Sequence, residues 1–370
     1  MVTEVSTTGY LNYNQLLYFK RGCSSLVVEE MVKMNGWKRF MVVTTKAIAE
    51  QPFYNDFLHL FSFENCIISQ CLLDNGAPNS EEIEVSLREA SNFGPDCIIG
   101  LGGGSVIDIA KITWWLFENQ KTLDQLENGA QKHQGRRRSA LCAWPTTFTG
   151  GHVTPYAVYR HNNQIKCITD AAIIPTISCF DVQYVADLSP ELVRNSTMHA
   201  FARVLDSVFT GTSSEFTVPS IGIVMKLIFE NLPIAMTVNP HNLSAREHLC
   251  NAATLAGQAT TNTNVGILGE VIKRLYFVTG KHYGASATLL IPAFINLIDD
   301  GTKQRIEEIA ANFFKMSVDD FLKSICDFCA NLKNGEQRID KADLSGILKE
   351  WKRDDLDVEL ARKLLDAISK

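Results

Sequence analysis

Residues 102–111 read Gly-Gly-Gly-Ser-Val-Ile-Asp-Ile-Ala-Lys and follow the apolar run Cys97-Ile98-Ile99-Gly100-Leu101. A buried strand there turns through three glycines straight into a helix, which is an arrangement suited to cradling a phosphate. Gly102, Gly103 and Gly104 let backbone N–H groups approach an anion with no Cβ in the way. Ser105 sits at the helix start, where unpaired N–H groups and the positive end of the dipole favour negative charge. The pattern is not a Walker loop, since no Gly-Lys-Ser/Thr follows, and it does not fit Gly-x-Gly-x-x-Gly.

The elements that must position this cradle change character once along the chain. In the first half short apolar runs alternate with amphipathic stretches: strands over 40–44, 65–73, 97–101, 141–144 and 172–180, and helices over 81–93 and 105–117. That alternation predicts βαβ units and a parallel, Rossmann-like sheet. After about Asp187 strand signals stop, and helical spacing marks 190–209, 219–232, 244–260, 265–278, 283–298, 304–314, 318–332 and 358–368. The expected organisation is an α/β dinucleotide-binding domain over 1–186 and an all-helical domain over 187–370, with an active-site cleft between them. Residues 334–343 read as a loose polar loop.

In an open parallel sheet ligands gather at the carboxyl ends of the strands. The first strand ends in Thr45, where a carboxylate would repel a ribose 2′-phosphate; the Thr45 hydroxyl can donate to one. The strand 141–144 leads into Pro145-Thr146-Thr147-Phe148-Thr149-Gly150-Gly151-His152, rich in the hydroxyls and glycines that contact phosphates and ribose. These strand ends point to a dinucleotide.

The 370 residues are 46% hydrophobic and 21% charged, a globular profile with enough chain for two cores. A formal net charge of −6 leaves no electrostatic footprint for nucleic acid or an anionic membrane. The Arg136-Arg137-Arg138 run reads as a solvated loop. The longest apolar run noted, near 287–298, is broken by Pro292 and Asn296, so no membrane span is expected, and the ten cysteines lack a spacing framework, as reduced thiols of a cytoplasmic protein do. Cys326-Asp-Phe-Cys329 falls in a helical pattern with no second pair.

With Pro145-Thr146-Thr147, Val153-Thr154-Pro155, Lys166, the segment from Ile174-Pro175 to Asp181, and Gly284 to Pro292, the motif at 102–111 occurs in the order seen in the iron-containing (group III) alcohol dehydrogenases. The chain resembles that family over roughly residues 15–300. The resemblance implies a dehydroquinate synthase-like architecture, a cleft between the two parts, and hydride transfer between NAD(P) and a carbonyl or alcohol. By residue match Gly103, Gly104 and Ser105 hold the pyrophosphate, Thr146 and Thr147 line the cofactor groove, and Asp108 and Lys166 lie nearer the nicotinamide. His152 stands near a usual Glu, at the cleft mouth. The β-prone stretch from Tyr10 to Phe19 suits either pairing across a homodimer or an edge strand on the chain's own sheet.

The resemblance also implies a metal held by an Asp and a His four apart on one helix, a His on a second helix and a His on the loop after it. Those positions are His199, Arg203, Gly269 and Tyr283 here. Arg203 stays protonated and repels a cation, and Gly269 has no side chain, so no metal cofactor is expected. His282 could enter by a one-residue slip. Lys273 matches a further His near the substrate.

The expected function is therefore a metal-independent, NADPH-dependent reductase (NADH remains open) acting on a small polar carbonyl or imine compound bearing a carboxylate or phosphate, in a specialised biosynthetic pathway. Arg203 and Lys273 would stabilise charge, and Lys273, Tyr283 or His199 would supply the proton. Against this, Arg203 and Lys273 could merely pair with Asp206 or Glu270. Two other classes stay open: a catalytically retired nucleotide-binding protein, and a non-redox lyase or cyclase on the same fold.

Overall fold

The structure is a computed structural model that describes residues 16–332 apart from 63, 64, 75, 127, 128, 134, 211–213, 240 and 264, together with 347 and 358–369. Six strands form one parallel sheet in the order β1-β9-β6-β4-β2-β3, namely Leu16–Phe19, Ile177–Phe180, Ala140–Pro145, Cys97–Gly102, Arg39–Thr45 and Ile67–Leu73. The chain runs outward from β2 to β3 and then returns to the other side of β2 for β4, so the strand order reverses between β2 and β4. Such a switch point opens a crevice at the carboxyl ends of its two strands. Thr45 ends one of them and Gly102 the other.

Helices cover both faces of this sheet, which is why β4 and β6 read as continuous apolar runs with every residue buried. Among them are α1 (Cys23–Lys33), α2 (Lys46–Ala49), α3 (Pro52–His59), α4 (Ser80–Phe93) and α5 (Gly104–Asn119). Local chemistry sets their ends: the Asn79 side chain accepts from Glu82 N at 3.0 Å at the start of α4, and Gly94 closes it in the left-handed region at φ 64°.

A second, three-stranded sheet differs from the sequence expectation: β5 (Gly129–Ala130), β8 (Gln164–Thr169) and β7 (Tyr156–His161). β7 and β8 form a hairpin whose turn residues Asn162 and Asn163 have φ of 50° and 58°, as a two-residue primed turn requires. The expected strand over 172–180 shrinks to Ile177–Phe180, because residues Ala171–Ile173 make a single turn capped by Asp170 and Pro175 lacks an N–H for the ladder. β1 pairs with β9 of the chain's own sheet; residues 10–15 of that β-prone stretch, and the polar loop over 334–343, lie outside the described residues.

After β9 the described elements are helical: α6 (Pro190–Phe209), α7 (Val218–Pro233), α8 (Leu243–Thr261), α9 (Ile267–Thr279), α10 (Tyr283–Ile295), α11 (Asp300–Ile309), α12 (Val318–Asn331) and α13 (Val358–Ile368). α11 starts earlier than its apolar spacing predicts because the Asp299 side chain accepts from Thr302 N at 2.7 Å. Residues Val218–Thr237 are long and apolar enough to cross a membrane by composition. In the fold Ile221, Val224, Met225, Ile228 and Leu232 of this stretch are buried in the helical core with α6 and α8.

The two parts meet at close range. Gly150 takes φ 76°, and a Cβ on Gly257 of α8 would collide with the Gly150 carbonyl. Thr261 Oγ1 donates to Val153 O at 3.0 Å and Tyr156 Oη to Thr260 O at 2.8 Å. The buried Arg246 guanidinium donates to the carbonyls of Val185 and Leu188, fixing the segment that links β9 to α6.

Candidate active site

A cleft of about 550 Å³ lies over the switch point, between the sheet's carboxyl edge and α6, α9 and α10. Its floor is the glycine cradle. A Cβ at Gly102 would come within 2.7 Å of Val106 Cβ, so the turn from β4 into α5 closes only on glycine. Gly103 caps α5 with no side chain over the helix end, and Gly103, Gly104 and Ser105 face the cleft with Thr146, Thr147 and Thr149 across from them. Thr147 Oγ1 is buried without a hydrogen-bond partner. A buried hydroxyl in that condition is costly unless a ligand completes it, and free helix N–H groups beside it suit a pyrophosphate.

At one end Thr45, Ala47, Ile48, Gln51, Phe53, Gly76 and Pro78 line a slot at the carboxyl edge of β2. The Thr45 hydroxyl accepts from Ile48 N at 3.2 Å, which leaves its own proton to donate. The nearby Lys46 pairs with Asp74.

The other end gathers Asp108, Val158, His199, Arg203, Tyr276, His282 and Tyr283. Helix α10 approaches α6 so closely that a Cβ on Gly284 would overlap the Asn195 carbonyl oxygen. This approach puts the Tyr283 ring against His199, stacked at 4.6 Å between centroids and 16° between planes, with Tyr276 at 4.6 Å from Tyr283. Burial, aided by Arg203 and His282, holds the His199 imidazole well below its ordinary value, so it is neutral at physiological pH. Burial pushes the Tyr283 phenol well above its usual range, so it keeps its proton. Arg203 makes no ion pair among the described residues, and its Nε is buried with no partner. His282 Nδ1 is likewise buried and unpartnered.

Two groups of the 102–111 motif stand at this end, Asp108 half-buried in the cleft lining and Lys111 buried beneath it. Asp108 accepts from Val158 N at 3.2 Å, and burial raises its pKa against the pull of Lys111 and Arg203. Lys111 is fully buried, and its ammonium donates to Gly151 O and Thr154 O at 2.7 Å and to Thr154 Oγ1 and Tyr156 O at 3.1 Å. It ties down the loop carrying Gly151, one wall of the cleft. Sequence reasoning assigned Lys111 no role, although it lies seven residues after Gly104 on the buried face of α5. Tyr276, three residues past Lys273, was also missed.

Three expected site residues lie elsewhere. Lys273 turns back one helical turn and pairs with Glu270, which Arg274 also engages, so the cleft receives one cation from these helices and not two. His152 is buried behind the cleft wall, its Nε2 3.1 Å from Thr254 Oγ1 on α8 and its ring edge-on to Phe180; burial lowers its pKa to about 3. Lys166 stands on β8 opposite Tyr159 in the hairpin, away from the cleft lining.

The positions matched to metal ligands do not fit a divalent cation. Arg203 brings a positive charge, and the room a side chain at 269 would need is taken: a Cβ there would lie 2.6 Å from Asp206 Oδ2. That carboxylate accepts from Gly269 N at 2.6 Å and Leu268 N at 3.2 Å, capping α9. Among the described residues no group of three or more His, Cys, Asp or Glu is placed to hold a metal. The glycine cradle and the hydroxyls facing it do fit a dinucleotide.

Comparison with known proteins gives two family matches, iron-containing alcohol dehydrogenase over residues 14–182 and the C-terminal part of the Fe-containing alcohol dehydrogenase family over residues 195–345. The bifunctional aldehyde-alcohol dehydrogenase AdhE of Escherichia coli (strain K12) is 26% identical over 304 residues, 78% of this chain and 34% of that protein. The chain thus spans about a third of the length of that relative. The NADPH-dependent butanol dehydrogenase of Clostridium saccharobutylicum is 27% identical over 237 residues, 63% of this chain and 60% of that one. Among solved structures, the sulfoacetaldehyde reductase from Bifidobacterium kashiwanohense in complex with NAD+ superimposes with a TM-score of 0.85 at 16% identity, covering 98% of each chain. That likeness is one of fold.

Proposed function

We propose that this chain, which belongs to the iron-containing alcohol dehydrogenase family, is a metal-independent reductase that uses NADPH in preference to NADH on a small anionic carbonyl or imine compound. One observation carries the reading: a guanidinium with an unpartnered buried Nε stands at a position the family resemblance gives to a metal ligand, while Asp206 fills the room beside another. Supporting an anionic substrate, a relative in fold is described as a reductase of sulfoacetaldehyde, an anionic aldehyde. A relative in sequence is described as NADPH-dependent, and Thr45 leaves the ribose slot without a repelling carboxylate.

The reduced nicotinamide, when bound, supplies the hydride. Arg203 attracts the substrate's anionic group into the cleft and opposes the negative charge that develops on the carbonyl oxygen; it stays protonated throughout, so that charge is always present. Tyr283, held by its stack with His199 and Tyr276, donates the phenolic proton to the product oxygen and regains one from solvent. Neutral His199 fixes that ring and adds no second positive charge. Lys111 keeps the Gly151 wall in place, and Lys273, committed to Glu270, takes no direct part.

The test is a titration of metal-stripped protein with NADPH and NADH, read by energy transfer from tryptophan to the reduced nicotinamide, followed by turnover of carboxylate-, sulfonate- and phosphate-bearing aldehydes with chelator present. Tighter binding of NADPH and turnover indifferent to chelation are expected. Failure to bind either nucleotide, or activity that vanishes on chelation and returns with iron or zinc, overturns the reading.

A further inference from the structure

Away from the cleft, two cysteines distant in sequence meet. Cys23 is the first residue of α1 and half-buried; Cys179 lies on β9 and is fully buried. Their sulfur atoms are 3.4 Å apart, across 156 residues of chain. A disulfide needs a separation near 2.05 Å, so a movement of little more than 1 Å at side chains facing each other closes the gap. The surroundings hold both partners in place. Ser24 Oγ contacts Cys179 Sγ at 3.4 Å, donates to Asp181 Oδ2 at 3.2 Å and accepts from Trp144 Nε1 at 3.1 Å. Asp181 in turn accepts from Gln183, a residue of the cleft wall.

We propose that Cys23 and Cys179 form a modification site, a dithiol that hydrogen peroxide converts reversibly to a disulfide clamping α1 to β9. Cys23 meets the oxidant because it is the more exposed of the two. Its sulfur attacks one peroxide oxygen and the O–O bond breaks, giving a sulfenic acid and one water. The Cys179 sulfur then attacks the sulfenic sulfur, the S–O bond breaks, and the hydroxyl leaves with the Cys179 proton as a second water. The two thiols lose two electrons in all and the peroxide gains them. A dithiol reductant reverses the change. The buried pair Cys97 and Cys142 lacks this access, since both are inaccessible on adjacent central strands. Closing a loop of this length constrains the unfolded chain, so the oxidised protein should melt about 3–5 °C higher than the reduced one.

The experiment exposes the full-length protein to a modest excess of peroxide, blocks residual thiols under denaturing conditions, and maps the linkage by mass spectrometry. Expected are a loss of two blockable thiols, a peptide pair joining residues 23 and 179, a raised melting temperature, and return of both signals on reduction. Cys179→Ser should leave Cys23 without its partner and drive it on to sulfinic acid, and Cys23→Ser should abolish both the linkage and the melting shift. Cys23 linked instead to any other cysteine, overoxidised Cys23 in the wild-type protein, or both thiols intact where other cysteines have reacted each overturns the proposal.

Discussion

Replacing Arg203 by Met should separate activity from stability, because the guanidinium is half-buried and makes no ion pair among the described residues. A unit charge about 4 Å from a developing alkoxide, at an effective dielectric near 20, contributes about 4 kcal/mol. Loss of one such stabilising group in other enzymes costs roughly 10²- to 10³-fold in kcat, and the same range is expected here. Folding should not suffer in step. Removing a cation that makes no ion pair relieves its desolvation, and Met keeps most of the side-chain volume, so the unfolding free energy from urea denaturation should stay level or rise by up to about 1 kcal/mol. The charge also holds the His199 imidazole low, so in the variant His199 should titrate closer to its ordinary range. The assay is steady-state reduction of an anionic aldehyde with NADPH, with Lys273→Met as the internal control. Since Lys273 pairs with Glu270 outside the cleft lining, that control should keep kcat within about threefold. A drop in kcat smaller than fivefold for Arg203→Met, or equal losses in the two variants, refutes the role given to Arg203.

Three further outcomes follow from particular contacts. Gly284→Ala places a methyl group on the Asn195 carbonyl and must push α10 off α6; a loss of about 3 kcal/mol or more, or failure to fold, should appear in chemical denaturation. Burial pushes the Asp206 carboxyl up to about 7 against the amides that cap α9. The folded protein therefore holds this proton up to about pH 7 while the unfolded chain releases it near pH 4, and stability falls as pH rises through that window by up to about 1.4 kcal/mol per unit. Asp206→Asn should flatten that slope when unfolding free energy is measured from pH 5 to 8. Thr45→Asp preserves a cap for α2 but sets a carboxylate in the slot at the carboxyl edge of β2; on the proposal that this slot takes the adenine ribose, it should weaken NADPH binding at least about tenfold and leave NADH less affected.

Local chemistry is what the sequence determined by itself. Three glycines between an apolar strand and a helix specify the cradle because they leave the backbone N–H groups open to an anion and Gly102 has no room for a Cβ beside Val106, and the helical spacing over 190–209 and 358–368 matches α6 and α13 end to end. Alternation of strand and helix likewise implies the parallel sheet. The β7–β8 hairpin was written in the chain as well, in Asn162-Asn163 between alternating residues, but its signal is two residues long. What only the tertiary structure decided is which side chains share the cleft. Lys273 and Arg203 look equivalent as cations on facing helices, yet Lys273 turns back on Glu270, because an ion pair one helical turn away is within reach of its flexible stem. Gly269 reads as an emptied ligand position, yet the space beside it is filled by Asp206, which comes from 63 residues earlier in the chain to cap α9. Tyr283 reaches His199 only because Gly284 lets two helices approach backbone to backbone. Periodicity and turn residues encode each element within a few residues of itself, whereas rotamers and interhelical distances depend on packing between segments that no local pattern relates.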